Sequence, residues 1–179
     1  AETREIAEDA LKLIEVEYEE LPVLVAPEDA MAEGAVEIHE GTKNICDQHR
    51  FEHGDPEAGF AASDYVFEEE FRTPIITHCS LETHVSLTYL DENDRLVVKT
   101  STQVPFNLRR IMAGALNMSM KQIRVIKPHV GGGFGGKAEV VQEPLNAVLT
   151  LKTRRPVLLE YTREEEMVAG RTRHSTVIK

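Results

Sequence analysis

Cysteine is scarce in this sequence: Cys46 and Cys79 are the two in 179 residues. Two distant thiols make neither a disulfide framework nor a metal-ligand spacing. They suit a reducing compartment, so a cytoplasmic location is expected. Positive charge is short as well. Lys and Arg number 20 against 31 Asp and Glu, for a net charge of −11. That leaves no basic footprint for nucleic acid. Long apolar runs are missing too. None approaches the ~20 residues of a membrane span, and no secretory leader is evident. Neither a nucleic acid nor a membrane is an expected partner.

What is present is enough apolar content, 41%, for a core in one domain, or in one domain plus part of another. Acidic residues concentrate at Glu15, Glu17, Glu19, Glu20, Glu28, Asp29 and Glu33, and again at Glu68, Glu69 and Glu70. Such runs form a solvated face or dock a basic partner. Both ends read as cuts in a longer polypeptide.

Periodicity organises the chain. Ile6, Ala10 and Leu13 share one face of a helix over residues 3–12, with Thr3 as its cap. Ile14-Glu15-Val16-Glu17-Tyr18 alternates as a half-buried strand does, and Leu21-Pro22 ends it. From Ala26 to Gly59 glycines and prolines punctuate a polar connection, and the domain boundary is expected there. Three strands are expected: one from Tyr65 through Phe71, a second comprising Ile75-Ile76 and then Val85–Tyr89, and a third over Leu96–Ser101. The last two pair as a hairpin across Asp91-Glu92-Asn93-Asp94. Leu108, Ile111, Met112, Ala115 and Leu116 then mark a helix, with Pro105 near its first turn. Ile123–Ile126 is a short strand, and Val141, Leu145, Val148 and Leu149 mark the next helix. Pro144 suits that helix's first turn or would kink it. A strand at Pro156–Tyr161, a helix boxed by Thr162 and Glu165 and closed by Gly170, and a strand from His174 complete the series. An antiparallel sheet followed by β-α-β-α-β makes a mixed α+β fold.

The densest signal is Val130-Gly131-Gly132-Gly133-Phe134-Gly135-Gly136-Lys137. A turn needs one or two permissive residues, whereas five glycines in a stretch of six positions let backbone lie flat against something large. Three readings follow. Gly131, Gly136 and Lys137 fit the phosphate-loop spacing, but Ala138 stands where a Mg²⁺-binding hydroxyl is needed. Gly131, Gly133 and Gly136 fit G-x-G-x-x-G, with Glu160 where a ribose-binding acid would sit, but antiparallel hairpins precede the unit. A nucleotide- or dinucleotide-binding module using residues 131–137 is thus the alternative function.

The third reading uses the whole run and its surroundings. Gly131–Lys137 resembles the signature loop of the large, molybdenum-binding subunit in the xanthine dehydrogenase and aldehyde oxidase family. Ser101-Thr102-Gln103-Val104-Pro105, with the following helix that includes Arg109, is similar to that family's S-T-Q-x-P segment. His78-Cys79-Ser80-Leu81-Glu82-Thr83-His84 resembles its H-x-x-L-E-x-H strand. Arg155-Pro156-Val157 and Thr162-Arg163-Glu164-Glu165 resemble its R-P-V strand and R-E-E helix. Leu13–Pro27 is similar to the close of the α/β hammerhead domain.

The resemblance implies three segments: residues 1–27 as the tail of the hammerhead domain, 28–59 as linker, and 60–179 as the first part of a molybdenum cofactor-binding domain. It implies a parent enzyme that hydroxylates an aromatic N-heterocycle or aldehyde, with water as the oxygen source. A molybdenum–pterin cofactor would be its catalyst, and no protein side chain would be a metal ligand. FAD and 2Fe-2S centres are implied on partner subunits or domains, in a dimer of heteromers that includes the remainder of the molybdenum subunit. Gln103 matches the glutamine beside the metal's oxygen ligand, its amide N–H₂ a suitable donor. Gly133, Phe134 and Gly135 match the loop segment against the metal centre. Phe134 is also a candidate core anchor. His78, Glu82 and His84 would share one strand face, as a hydrogen-bonded structural trio. His129 and His174 are read as structural or surface residues. Ala138 departs from the acid or amide that follows the loop lysine in purine-oxidising members, which argues against a purine substrate. The family's catalytic base lies far downstream. No residue here is therefore expected to be catalytic, and the isolated chain is expected to be inactive and free of cofactor.

Overall fold

The computed structural model describes residues 2–179, in two compact units that meet at Val66 and Phe67. In the first, α1 (Arg4–Leu11) starts where the Thr3 hydroxyl accepts from the Ile6 N–H at 3.3 Å. The expected strand at Ile14–Tyr18 is not formed. Residues 14–25 are extended but pair with no strand among the described residues. Alternation makes a strand only when a neighbour takes its hydrogen bonds and its apolar face, and Ile14, Val16 and Tyr18 are all exposed.

The connection that follows carries local order that sequence pattern does not show. Two short helices, α2 (Pro27–Met31) and α3 (Pro56–Ala61), each start with proline. Between them Asn44 ties three strands of backbone. Its Nδ2 donates to the Ala30 and Val36 carbonyls at 2.8 and 3.0 Å, and its Oδ1 accepts from the Ile38 N–H at 2.8 Å.

The second unit is built on a four-stranded sheet. It contains β3 (Val85–Leu90), β4 (Leu96–Thr100), β5 (Ile123–Ile126) and β6 (Val157–Glu160), in the order β5-β4-β3-β6. The expected hairpin joins β3 and β4, with Ser86 opposite Thr100 and Leu90 opposite Leu96. Asp91 makes the turn, its Oδ1 accepting from the Asn93 and Arg95 N–H groups at 3.0 and 2.9 Å. Helix α4 (Pro105–Ala115) carries the chain over to β5, which pairs with β4 in parallel. Hairpin patterning supplies neither that parallel crossover nor the long-range pairing of β6 with β3. Helix α5 (Glu143–Thr153) follows the glycine loop with Pro144 in its first turn, which decides between the two readings of that residue. Helix α6 (Arg163–Ala169) opens with the expected Thr162–Glu165 capping box.

Leu96, Val98, Leu108, Met112, Ile123 and Ala147 are buried together between sheet and helices. Each large side chain among them contributes roughly 1.5–3 kcal/mol by leaving water. Next to this core lies a buried polar layer. Asn146 Nδ2 reaches the Ser86 carbonyl at 2.8 Å, and the Thr88 and Thr150 hydroxyls meet at 2.7 Å. These contacts fix α5 against β3 in one register, because a shifted helix would leave buried polar groups unpaired.

Two small ribbons complete the unit. β1 (Phe71–Thr73) pairs with β8 (Thr176–Ile178), and β2 (Ile76–Thr77) with β7 (Thr172–Arg173). The strand expected from Tyr65 begins only at Phe71, because pairing with β8 starts there and residues 65–70 have no strand partner.

Arg154 ends α5 in the left-handed region, at φ 58° and ψ 24°. Its ion pair with Asp94 is solvent-exposed and contributes little. Arg154→Gly is therefore expected to stabilise the protein by about 0.5–1 kcal/mol, read as a higher urea midpoint at an unchanged slope.

Candidate functional site: the glycine loop and its supports

Strand β5 delivers the chain to Gly131 at one end of the sheet, and Gln103 arrives there just beyond β4. The Gln103 Oε1 accepts from the Gly135 N–H at 3.0 Å and the Lys137 N–H at 3.2 Å, while the Gln103 N–H donates to the Lys137 carbonyl at 2.9 Å. Two backbone donors at one side-chain atom settle which end of the amide is the oxygen. The N–H₂ end is then the one left for other partners, as the resemblance requires.

Gly133 lies flat on this glutamine. A Cβ there would sit 2.5 Å from Gln103 Oε1 and 2.8 Å from its Cδ. At Gly131 a Cβ would stand 2.6 Å from the Glu82 Cβ, and at Gly136 it would meet the His78 ring at 3.0 Å. Close approach rather than turning thus demands glycine at Gly131 and Gly133, and leaves little room at Gly136. Gly132 and Gly135 also have φ near +97° and +98°. Among the described residues, the N–H groups of Gly132, Gly133 and Phe134 donate to no protein acceptor. Neutral donors of this kind, on a backbone with no side chains in the way, suit the oxygen or sulfur ligands of a bound centre.

Phe134 sits at φ 52° and is 68% exposed. The core-anchor reading is therefore incorrect. Its ring packs against the loop's own backbone at Gly132 instead of entering the core.

The expected trio is not a trio. His78, Glu82 and His84 lie on an irregular segment between β2 and β3, with Cys79 at φ 46°. Positive φ at Cys79 breaks strand alternation, so the three side chains take separate partners. His78 Nδ1 lies 3.2 Å from the Arg171 carbonyl. Glu82 Oε2 accepts from the Gly131 N–H and lies 3.4 Å from Lys137 Nζ. His84 is buried, with its Nδ1 2.8 Å from Glu166 Oε1 and its backbone N–H 2.8 Å from Glu166 Oε2. Among the described residues, no group of three His, Cys, Asp or Glu side chains is placed to share a metal ion. His129 and His174 are exposed.

Two further residues matter here: Lys137, which the sequence marked only as the end of the loop, and Glu166, which it did not single out. Lys137 is almost wholly buried, its side chain 1% exposed. Glu166, on α6, is buried as well. Burial alone would raise the Glu166 pKa. The hydrogen bonds from the His84 backbone and ring, and the charges of His84 and Lys137, outweigh that and hold the carboxyl below the usual glutamate range. The capping box placed α6, but only the inward turn of its fourth residue brings Glu166 under the loop.

The burial of Lys137 also bears on the nucleotide alternative. A phosphate-loop lysine must reach outward to phosphates, whereas this one points at Glu82 inside the protein. Nor does the loop end on a helix N-terminus: residues 138–142 intervene before α5. Nothing in the geometry favours that alternative.

A glycine-lined backbone with three N–H donors unpaired among the described residues leaves room for a large group without offering it side-chain ligands. Residues 38–179 match the molybdopterin cofactor-binding domain family, and the chain belongs to it. The chain is 41% identical over 173 residues to the xanthine dehydrogenase molybdenum-binding subunit of Escherichia coli O157:H7, covering 96% of this chain and 23% of that protein. It is 36% identical over 174 residues to the nicotinate dehydrogenase large molybdopterin subunit of Eubacterium barkeri, covering 97% of this chain and 41% of that protein. Among solved structures, the aldehyde oxidoreductase from Desulfovibrio gigas superposes with a TM-score of 0.86 at 26% identity, over 98% of this chain and 19% of that one. The quinoline 2-oxidoreductase from Pseudomonas putida 86 superposes at 0.79 with 30% identity, over 96% of this chain and 22% of that one. The chain thus spans about a quarter of the length of the E. coli relative.

Proposed function

We propose that this chain forms one wall of the molybdenum site in a molybdenum hydroxylase, an oxidoreductase that hydroxylates an aromatic N-heterocycle or an aldehyde with water as the oxygen source. The observation that carries the reading is the Gln103 lock. One side-chain oxygen gathers the Gly135 and Lys137 N–H groups. The amide N–H₂ and the N–H groups of Gly132, Gly133 and Phe134 are thereby left for a ligand. Gln103, Gly133, Phe134 and Gly135 would hold the molybdenum–pterin cofactor, which supplies the redox chemistry when bound. The role of this chain is to orient the cofactor's ligands and keep side chains out of their way.

In this reading residues 1–27 close a hammerhead domain, 28–59 link, and 60–179 open the cofactor-binding domain. FAD and 2Fe-2S centres on partner subunits or domains would carry electrons away, in a cytoplasmic dimer of heteromers that includes the rest of the molybdenum subunit. Ala138, beside the loop lysine, offers no polar group to a substrate, which favours a non-purine heterocycle or an aldehyde.

The test uses a polypeptide of the relatives' full length carrying this chain, with its redox partners. We expect stoichiometric molybdenum by metal analysis and ¹⁸O from labelled water in the product. Product oxygen drawn from O₂ would sink the proposal. So would saturable thermal stabilisation by ATP or NAD without molybdenum.

A further inference from the structure

The glycine loop should be its most mobile feature, since glycine loses the most freedom on ordering, yet both of its ends are tied to the same carboxylate. The Gly131 N–H donates to Glu82 Oε2, and the Glu82 N–H returns a bond to the Gly131 carbonyl at 3.1 Å. At the other end Lys137 turns its ammonium inward, 3.4 Å from that same Oε2.

Behind this pair stands α6. Glu166 accepts from the His84 backbone at 2.8 Å and interacts electrostatically with Lys137. One helical turn earlier, Arg163 Nη2 donates to the Ser80 and Leu81 carbonyls at 2.7 and 2.9 Å. The segment carrying Glu82 is therefore gripped on both sides by one helix. Among the described residues Lys137 Nζ makes no hydrogen bond, so its contribution is charge. A buried cation is costly to leave unpaired, so its pairing with Glu82 holds its surroundings to one arrangement.

We propose that Glu82 and Lys137 are positioning residues: a charge clamp that ties both ends of the glycine loop to one carboxylate, with α6 bracing the Glu82 segment through Arg163 and Glu166, so that the loop's free N–H groups are presented in one geometry. The purpose of the clamp rests on the cofactor reading above, but its existence can be tested without any cofactor.

The experiment is amide hydrogen exchange, resolved by NMR, on the full chain and on Lys137→Met, Glu82→Gln and the double variant. Methionine matches the lysine stem in length and removes the charge. Glutamine keeps an acceptor for the Gly131 N–H and removes the ion pair. In each single variant the Gly131 and Gly135 amides are expected to exchange about 10-fold faster, while the core amides of Val98 and Met112 change less than about 2-fold. The double variant should be no faster than either single, because both remove the same interaction.

Unchanged loop exchange would overturn the clamp. So would multiplicative acceleration in the double variant, or equal acceleration of loop and core in the Glu82→Gln chain. If Lys137→Met fails to fold, the partly exposed Glu82→Gln decides alone on the same criterion. Because no molybdenum or pterin enters the measurement, loss of the clamp and loss of the cofactor reading are separate results.

Discussion

Glu166→Ala is expected to lower stability by about 3–5 kcal/mol, the cost typical of removing one partner from a buried charged pair. For a domain of this size that is a fall in melting temperature on the order of 15 °C. The side chain is 9% exposed and takes three contacts from His84 at 2.8–2.9 Å. Truncation orphans the His84 backbone N–H and its Nδ1. A loss of this size is a large share of the 5–15 kcal/mol that holds an ordinary domain together.

The pH dependence follows from the same group. The Glu166 pKa is lower folded than unfolded, so the unfolded chain binds more protons between the two values. Its stabilisation is therefore complete above the ordinary glutamate value of 4.5 and is lost as pH falls through the folded value. Glu166→Gln should flatten that part of the acid limb. Asp91 retains its own share, because its carboxyl is held low by the Arg95 N–H and its other turn contacts. Urea midpoints from pH 7 to pH 3 on both chains measure this. Parallel acid limbs would show that Glu166 carries no such linkage.

Such an effect at Glu166 shows where sequence reading stops. Elements with a local cause were legible. Examples are the α6 capping box, the hairpin over Asp91 and the apolar face Leu108–Met112–Leu116. What needed a distant partner was not. Ile14–Tyr18 alternates perfectly well, but no neighbouring strand receives it. Lys137 closes a motif that in other contexts reaches for phosphate. Only the fold shows Glu82 beneath it, some fifty residues earlier in the chain. The glycine run stood out by its own density, whereas Gln103 was singled out because a resemblance pointed to it. The physical reason for Gly133, contact with that same glutamine, is visible only with both segments in place. His78, Glu82 and His84 shared a spacing and not a site, because one positive φ at Cys79 scattered them.

Gly133→Ala is the substitution expected to cost most in function. Its Cβ would lie 2.5 Å from Gln103 Oε1 and 3.1 Å from Cγ. The glutamine can escape only by swinging away, and then it releases the Gly135 and Lys137 N–H groups that it holds. The stability loss should be modest, about 1–2 kcal/mol for two hydrogen bonds at an exposed side chain. The cofactor loss should not be modest. The donors that would face the metal's ligands shift together with the amide N–H₂, and a displacement near 1 Å commonly costs about 100-fold.

In a polypeptide of the relatives' full length, we therefore expect molybdenum content to fall at least about 10-fold while the melting temperature drops only a few degrees. Gly114→Ala is the control. It makes the same chemical change in the last turn of α4, where a Cβ meets nothing within 4 Å. There a methyl group should stabilise the helix by about 0.5–1 kcal/mol and leave molybdenum content unchanged. If Gly133→Ala kept its full molybdenum, the loop would not be the shelf on which the cofactor's ligands rest, and the place of Gln103 beside them would fall with it.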